Sequence, residues 1–281
     1  MTDQLLGIIY GLASALVWGS GDFSGGFATK RDNVFTVVFI SQFFGVALLA
    51  VLILVFRESF PPAQDLLFGA LAGIGGMMGV LGFYRGLSQG QMGVFAPLVA
   101  VITAVLPVIA GIIFEGAPST LQLVGFLIAF VAVWFLSFSG KSGLFSGRSL
   151  ALAFTAGLGF SIFLIAIDQA DSTPGIFWPL LAARCASITI LLVILRVRGL
   201  PLTAPRPNLP VIAMAGILDT GGNIFFALAA QVGRLDIAAV LSSLYPATTV
   251  FLAWMVLKEK LSPLQWVGVV LALVALFLIA L

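Results

Sequence analysis

GVFAPLVAVITAVLPVIAGIIFEGAPSTLQLVGFLIAFVAVWFL, at residues 93–136, is matched later in the chain by DIAAVLSSLYPATTVFLAWMVLKEKLSPLQWVGVVLALVALFLI, at residues 236–279. Each stretch has a proline inside an apolar run, and that run ends at an acid, Glu115 or Glu259. Each then continues with Ser, Leu-Gln, Val-Gly and a second apolar run. Self-similarity at a fixed offset indicates a duplicated structural unit, so the sequence predicts a chain made of two related halves.

The composition identifies the solvent that the chain faces. Of its 281 residues, 61% are hydrophobic and 9% are charged, whereas a soluble domain has about 45–50% apolar and about 25% charged residues. Most of the surface must therefore face lipid. The net charge of +2 is too small to indicate a nucleic-acid partner. The chain has no histidine and a single cysteine, Cys185, so we expect no metal, no cofactor and no internal disulfide.

Apolar runs bounded by charged residues, prolines and glycines predict ten transmembrane helices, because about 20 apolar residues are needed to cross about 30 Å of hydrocarbon. We place these spans at 5–29, 34–56, 66–88, 92–114, 119–138, 149–169, 175–197, 209–231, 236–257 and 262–280. The boundary between the third and fourth spans, around residues 88–91, is the least distinct.

Ten spans in two copies give five-helix halves at residues 1–140 and 141–281. An odd number of spans in each half forces the halves into opposite orientations. Inverted repeats of this kind are typical of secondary transporters, whose site lies near the bilayer midplane between the halves. The predicted fold is therefore an all-α membrane protein with two inverted five-helix repeats around a central cavity.

Charged residues inside the predicted spans are the first candidates for function. A charge at the centre of a membrane helix costs about 2.5–3.5 kcal/mol on insertion scales, so it is retained for a reason. The candidates are Asp22, Arg85, Arg184 and Asp219. For Arg184 and Asp219 the alternative is a purely structural ion pair that locks two helices together. For Asp22 the alternative is a structural hydrogen bond. For Arg85 the alternative is that the side chain reaches the membrane interface, because this residue lies near the end of its span.

Neutral side chains near these charges complete a candidate substrate site. Trp18 lies four residues before Asp22 and shares its helical face, which suits an amine or a cationic ring. Asn223 lies four residues after Asp219 and adds an amide to that acid. Arg184 offers a fork of donors that matches a carboxylate, either of the substrate or of Asp219.

Two tyrosines and three prolines extend this prediction. We expect Tyr84 and Tyr245 to line the cavity from opposite halves, and ordinary packing is the alternative for both tyrosines and for the candidate tryptophan. Pro97, Pro107 and Pro246 each free a backbone carbonyl, which membrane helices tolerate where a cavity or a neighbour satisfies it. We expect these prolines to mark the bends that gate transport.

The order of these motifs carries a resemblance to a known family. Trp18-Gly19-Ser20 in the first span, the Tyr84 segment that closes the third, and the Pro-to-Glu stretches 97–115 and 246–259 resemble the EamA-like family of the drug/metabolite transporter superfamily. The resemblance covers the whole chain. It implies a carrier in which spans 1, 3, 4, 6, 8 and 9 surround a central cavity. Members of this family move amino acids, sugars and other metabolites, often outward.

The sequence bears on three classes of function. An enzyme needs a nucleophile–base pair or a metal cluster, and neither H-E-x-x-H, G-x-S-x-G nor a P-loop occurs in the sequence. A channel needs a ring of equivalent groups or a filter loop. The sequence favours a secondary-active carrier of small metabolites such as amino acids, with a cationic-compound exporter as the alternative if the span-7 arginine is held structurally.

Several features of the carrier stay open at this stage. The two span carboxylates, Asp22 and Asp219, can each trade a proton for substrate, and exchange without a proton is the alternative. We expect small-molecule substrate, protons and lipid as partners. The chain is expected to be a monomer or a weak homodimer in the inner membrane of a bacterium.

The distribution of cations predicts the orientation of the chain. Nine lysines and arginines fall in the loops after spans 1, 5, 7 and 9, and the opposite face has only Arg57 and Arg234. Cytoplasmic loops carry the excess of Lys and Arg, so both termini are predicted outside, whereas many members of the family are thought to have cytoplasmic termini. A reporter fused after Leu281 should therefore report a periplasmic location. A cytoplasmic signal, with the loop between spans 7 and 8 accessible from outside, would contradict this orientation.

Overall fold

The computed structural model describes residues 2–87, 92–136, 147–170, 175–257 and 262–280. Within these ranges the regular structure is helical and no strand occurs. The α-helices are α1 (Thr2–Thr29), α2 (Val34–Phe56), α3 (Ala63–Leu87), α4 (Met92–Glu115), α5 (Thr120–Leu136), α6 (Gly147–Asp168), α7 (Phe177–Val197), α8 (Leu209–Val232), α9 (Leu235–Ser242), α10 (Tyr245–Leu257) and α11 (Pro263–Ala280). A short 3-10 turn, Arg206–Asn208, precedes α8.

The structure corrects the prediction of a single helix at 236–257. That span is two helices, α9 and α10, and Ser243 and Leu244 connect them. At the connection the backbone uses shorter-range hydrogen bonds, from Leu244 N–H to Leu241 O (3.2 Å) and from Ala247 N–H to Leu244 O (2.9 Å). The cause is Pro246, which has no N–H and cannot continue the ladder of the preceding helix. The uncertain boundary at 88–91 lies outside the described residues.

The described helices fit a protein that crosses the bilayer several times. By length and composition, α1, α2, α3, α6, α7 and α8 can each span a membrane, and parts of α4, α5 and α11 are shorter apolar helices. Large apolar side chains cover the outer surface, with Leu54 at 76% exposure and Phe277 at 65%. Such a surface is stable only against lipid tails. Cys185 is exposed on this surface.

Each helix of one half packs against a helix of the other half, and the pairs are equivalent in the two halves. The first helix of each half packs against the third helix of the other, so that α1 contacts α8 and α6 contacts α3. The second helices, α2 and α7, contact each other, and so do the last helices, α5 and α11. This reciprocal pairing is what two copies of one unit produce when they assemble around a two-fold axis.

Glycines make equivalent close contacts in the two halves. Gly73 of α3 lies against the backbone of Ala183 in α7, and Gly216 of α8 lies against the backbone of Ser41 in α2. A Cβ at either glycine would collide with the facing carbonyl. Small residues allow membrane helices to approach closely, since packing replaces the hydrophobic driving force in lipid. These contacts fix where α7 and α2 place their polar side chains.

Two acids of the first half cap helices of the second half. The Glu58 carboxylate accepts hydrogen bonds from the Phe177 N–H (3.1 and 3.0 Å) and from the Trp178 N–H (3.3 Å) at the start of α7. Glu115 accepts one from the Leu235 N–H (3.1 Å) at the start of α9. These bonds satisfy helix N–H groups that have no partner within the helix. The same face of the molecule therefore carries two caps between the halves.

The Glu58 cap can be tested by substitution. Glu58→Ala removes the carboxylate that accepts from Phe177 and Trp178 at the start of α7, so it should lower the free energy of unfolding by about 0.5–2 kcal/mol. Glu58→Gln keeps an acceptor oxygen and should cost less. Thermal unfolding in detergent micelles measures both variants against the wild type. Equal midpoints for all three proteins would show that the cap contributes nothing to stability.

The pH dependence of the cap has a defined sign. Burial raises the pKa of Glu58, and the backbone hydrogen bonds from Phe177 and Trp178 offset part of that effect. The folded state therefore binds this proton more readily than the unfolded state. Protonation of Glu58 therefore stabilises the folded state. This stabilisation is fully present below the ordinary pKa of Glu58 in the unfolded chain, and it is lost as the pH rises through the raised pKa of the folded state. Because glutamine does not titrate, the unfolding temperature of Glu58→Gln should depend less on pH than that of the wild type.

Candidate functional site

A cavity of about 690 Å³, its open part included, lies at the centre of the described helices. Both halves line it, with residues from α1, α2, α3, α4, α6, α7, α8 and α10. Its polar lining consists of Trp18, Asp22, Gln42, Thr103, Arg184, Ser187, Asp219, Asn223 and Tyr245.

An ion pair joins α7 to α8 at the wall of this cavity. Arg184 Nη1 lies 2.7 Å from Asp219 Oδ2 and donates to Gln42 Oε1 at 2.7 Å. The Arg184 side chain is 7% exposed, whereas Asp219 is 29% exposed. Gln42 belongs to α2, so the guanidinium connects three helices. A buried cation in a membrane protein requires partners of this kind, because lipid cannot solvate it.

Trp18 ties α1 to the same part of α8. Its indole Nε1 donates to Asn223 Oδ1 at 2.8 Å and to the Asp219 carbonyl at 3.2 Å. The indole stacks on Phe226 with ring centroids 5.9 Å apart. Gly222 makes room for it, since a Cβ there would collide with the indole ring. The helix that approaches α8 closely at this glycine is therefore α1.

Asp22 lines the cavity with no hydrogen-bonding or ion-pair partner among the described residues. It interacts electrostatically with Asp219 across the cavity and with the phenols of Tyr84 and Tyr245. None of these neighbours supplies a positive charge. Asp22 therefore differs from Asp219, whose carboxylate is paired.

Three buried polar atoms at the cavity wall have no hydrogen-bond partner in the described part of the chain. They are Thr103 Oγ1, Arg184 Nη2 and the Tyr245 hydroxyl. Most buried polar atoms in proteins are satisfied, so an unsatisfied one calls for an explanation. All three residues line one cavity. Their free donors and acceptors are therefore available to a molecule bound there.

Most of the predicted site residues come together at this cavity, but two do not line it. Tyr84 is buried in the core, with its hydroxyl against Gly25. Arg85 is exposed, because the next position on a helix turns by about 100°. Of the prolines, Pro246 lies at the start of α10 beside the lining residue Tyr245, and Pro107 is buried in α4. Pro97 lies in α4, and its side chain is outside the described residues.

Sequence reasoning missed Gln42, Thr103 and Ser187. Gln42 and Thr103 share one signal: each is an uncharged polar residue in the interior of an apolar helix, and Thr103 is the only hydroxyl residue of α4. The resemblance implied a cavity surrounded by spans 1, 3, 4, 6, 8 and 9. The structure adds α2 and α7 to the lining, because the close glycine contacts bring Gln42 and Arg184 inward.

Comparison with known proteins places the chain in a family. A sequence model of the EamA-like transporter family matches residues 5–138 and again residues 143–281. No curated protein matches the chain significantly. A solved structure described as "Crystal structure of protein" has a TM-score of 0.80 and 16% sequence identity, and the alignment covers 98% of each chain. That likeness shows a shared fold. The two matches cover both halves of the sequence, and the chain belongs to the EamA-like transporter family.

Proposed function

We propose that this protein is a secondary-active carrier of small metabolites, working as an exporter or exchanger by alternating access. The single observation that supports it best is the central cavity, which both halves line and where three buried polar atoms lack partners in the part of the chain that the structure describes. A transport site between two repeats is the arrangement of many secondary carriers. We propose ten spans in two inverted halves, divided near residue 140.

Amino acids are the first candidate substrates. Arg184 Nη2 is buried at the cavity wall and has no partner among the described residues, so it can donate to a carboxylate. Asp22 lines the same cavity and is likewise unpaired within the described ranges, so it can accept from an ammonium group. The hydroxyls of Thr103 and Tyr245 add two further hydrogen-bonding groups. The site thus offers groups for both ends of a zwitterion.

Cationic compounds are the second candidate class. The observation that favours them is the 2.7 Å contact between Arg184 and Asp219, since it neutralises the guanidinium within the protein. The acid that remains, Asp22, then meets the substrate as an anion. Trp18 lies four residues away on the same helix and lines the same cavity, and an aromatic face attracts cations.

We propose that the break between α9 and α10 is the main hinge of the transport cycle. Pro246 lies at this break and Tyr245 beside it lines the cavity, so a bend here changes the shape of the site. The caps from Glu58 and Glu115 join the halves on one face and must open when that face opens. We propose that this face is periplasmic, that both termini lie on it, and that the membrane is a bacterial inner membrane.

Liposome counterflow tests the proposed activity. The purified protein is screened by thermal shift against amino acids, nucleosides, sugars and quaternary amines, and compounds that stabilise it are then used in flux assays. A carrier should show saturable uptake that an unlabelled compound on the opposite side accelerates. Steady ion currents without counterflow would indicate a channel and would contradict the proposal.

The role of the ion pair can be separated from its contribution to folding. Asp219→Asn and Arg184→Gln keep hydrogen-bonding groups, so they should remain monodisperse while counterflow falls at least about tenfold, a difference of about 1.4 kcal/mol. Asp219→Ala leaves the buried Arg184 guanidinium without its acid and without any polar replacement, so it should lose about 3–5 kcal/mol of stability, and Arg184→Ala should lose less because Asp219 is partly exposed. Asp3→Asn, an exposed acid outside the cavity, is the matched control.

Two results would count against the site as proposed. Well-folded Asp219→Asn and Arg184→Gln proteins with wild-type counterflow would show that the pair does not take part in transport. Full recovery of flux in the double variant, Arg184→Gln with Asp219→Asn, would show that the pair only joins α7 to α8. The proposal expects the double variant to remain inactive.

A further inference from the structure

Two loops on one face of the molecule carry cations that the central cavity does not use. The first, residues 30–33, joins α1 to α2, and the second, residues 198–208, joins α7 to α8. We define the basic patch as the five exposed cations of these loops and of the last turn of α7, namely Lys30, Arg31, Arg196, Arg198 and Arg206. The single acid of segments 30–33 and 196–208 is Asp32, so five positive charges against one negative leave a net charge of +4.

The structure brings these loops together, although they belong to different halves of the chain. Thr36 Oγ1 donates to the Pro201 carbonyl at 2.7 Å. Asn208 Nδ2 donates to the Ala28 carbonyl at 3.1 Å and to Asp32 Oδ2. These bonds cross from the connection between α1 and α2 to the connection between α7 and α8. The basic patch is therefore one surface that both halves build.

Two arginines of the patch are held over aromatic rings beside the same short loop. Arg31 Cζ lies 4.7 Å from the centroid of the Phe27 ring, and Arg198 Cζ lies 5.0 Å from that of Phe35. Phe27 is in the last turn of α1 and Phe35 in the first turn of α2, so the two rings flank residues 30–33. A ring attracts the face of a guanidinium, whose N–H groups point outward in its plane. Both arginines are thus held in place while their donors remain available.

The positive charge of the patch is not neutralised within the part of the chain that the structure describes. The ion pairs of that part are made by Arg184 and Arg234 and include no cation of the patch. Asp32 accepts a hydrogen bond from Asn208. The C-terminal ends of α1 and α7 each contribute about −0.5 charge through the helix dipole, which together is much less than the net +4. The patch is therefore suited to an anion from outside the chain.

The apolar surface beside the patch indicates which kind of anion it suits. Val193 and Val197, near the end of α7, are 58% and 82% exposed, and Phe27 is 38% exposed. A soluble phosphate would leave these side chains without an apolar partner. A phospholipid presents a phosphate and acyl chains together, and basic residues at the ends of membrane helices attract anionic headgroups. The combination of charge and apolar surface therefore favours a lipid.

We propose that the basic patch binds the headgroup of an anionic phospholipid, with Arg31 and Arg198 as the phosphate-binding pair. Arginine suits this role because its planar fork matches the oxygens of a phosphate. The other three cations surround the headgroup with positive charge, and the acyl chains run along Val193 and Val197. One arginine comes from each half, so the bound lipid joins the halves on this face. The site is separate from the central cavity and does not depend on what the protein transports.

Native mass spectrometry of the delipidated protein in detergent tests the proposal on the wild type. The probes are phosphatidylglycerol and phosphatidylcholine with the same acyl chains, and glycerol phosphate as the free headgroup. Phosphatidylglycerol should bind at several-fold lower concentration than phosphatidylcholine, and its binding should weaken as salt is raised. Glycerol phosphate at the same concentration should not displace it. Equal binding of the two lipids would overturn the proposal, and so would displacement by glycerol phosphate, which would indicate a site for soluble anions.

Single substitutions test whether the lipid binds at the patch. Arg31→Gln and Arg198→Gln each remove one exposed cation, so each should weaken phosphatidylglycerol binding about fivefold. Arg31→Lys keeps the charge but loses the planar fork, so its affinity should fall between those of the wild type and Arg31→Gln. Arg57→Gln is the matched control, since Arg57 is an exposed cation at the opposite end of α2, and it should bind like the wild type. Unchanged affinity in both glutamine variants of the patch, or an equal loss in Arg57→Gln, would refute the site.

Discussion

Lipid cannot solvate a charge, and the structure depends on how this chain meets that constraint. Arg184 is placed in the interior of a membrane helix, where its guanidinium needs partners from other helices. It finds Asp219 on α8 and Gln42 on α2 at 2.7 Å each. For these contacts to form, α7 must lie close to both α8 and α2. The arginine therefore fixes the centre of the helix assembly, and the cavity lies beside it.

The close approach of the helices follows from small residues at the facing positions. Gly45 of α2 lies beside the Arg184 side chain, and Gly73 and Gly216 make the equivalent contacts between α3 and α7 and between α8 and α2. In both cases a glycine lets the third helix of one half pack closely against the second helix of the other half. The cavity that results is asymmetric in chemistry, however, because the acids Asp22 and Asp219 come from α1 and α8.

Much of the architecture follows from the sequence because its physical cause is local. The extent of most helices is set by the apolar length that a bilayer demands, and the duplicated Pro-to-Glu stretches reveal the two halves. The high cost of intramembrane charge singles out Arg184 and Asp219 as a pair. These inferences need no knowledge of which helices touch.

What the sequence does not disclose depends on tertiary contacts or on weak signals. The stretch 236–257 is apolar enough for one span, and in the sequence the break at Ser243 and Leu244 is marked only by Pro246 and the serine pair before it. Gln42 is neutral and costs less to bury than a charge, so its role as a partner of Arg184 has no strong signature. Cys185 faces the lipid. Because both the interior and the lipid-facing surface of this protein are apolar, the sequence pattern does not show which of the two a cysteine faces.

Transport requires that water and substrate can enter the cavity that Thr103, Arg184 and Tyr245 line. Because Cys185 is the only cysteine, a Cys185→Ser background carrying Thr103→Cys reports on the cavity wall, and Leu273→Cys, on the outer apolar surface, is the matched control. The measurement is the rate of reaction with a membrane-impermeant methanethiosulfonate reagent in reconstituted liposomes. Thr103→Cys is expected to react, and Leu273→Cys is expected to remain unmodified. An unreactive Thr103→Cys in a folded protein, accessible from neither side of the membrane, would contradict it.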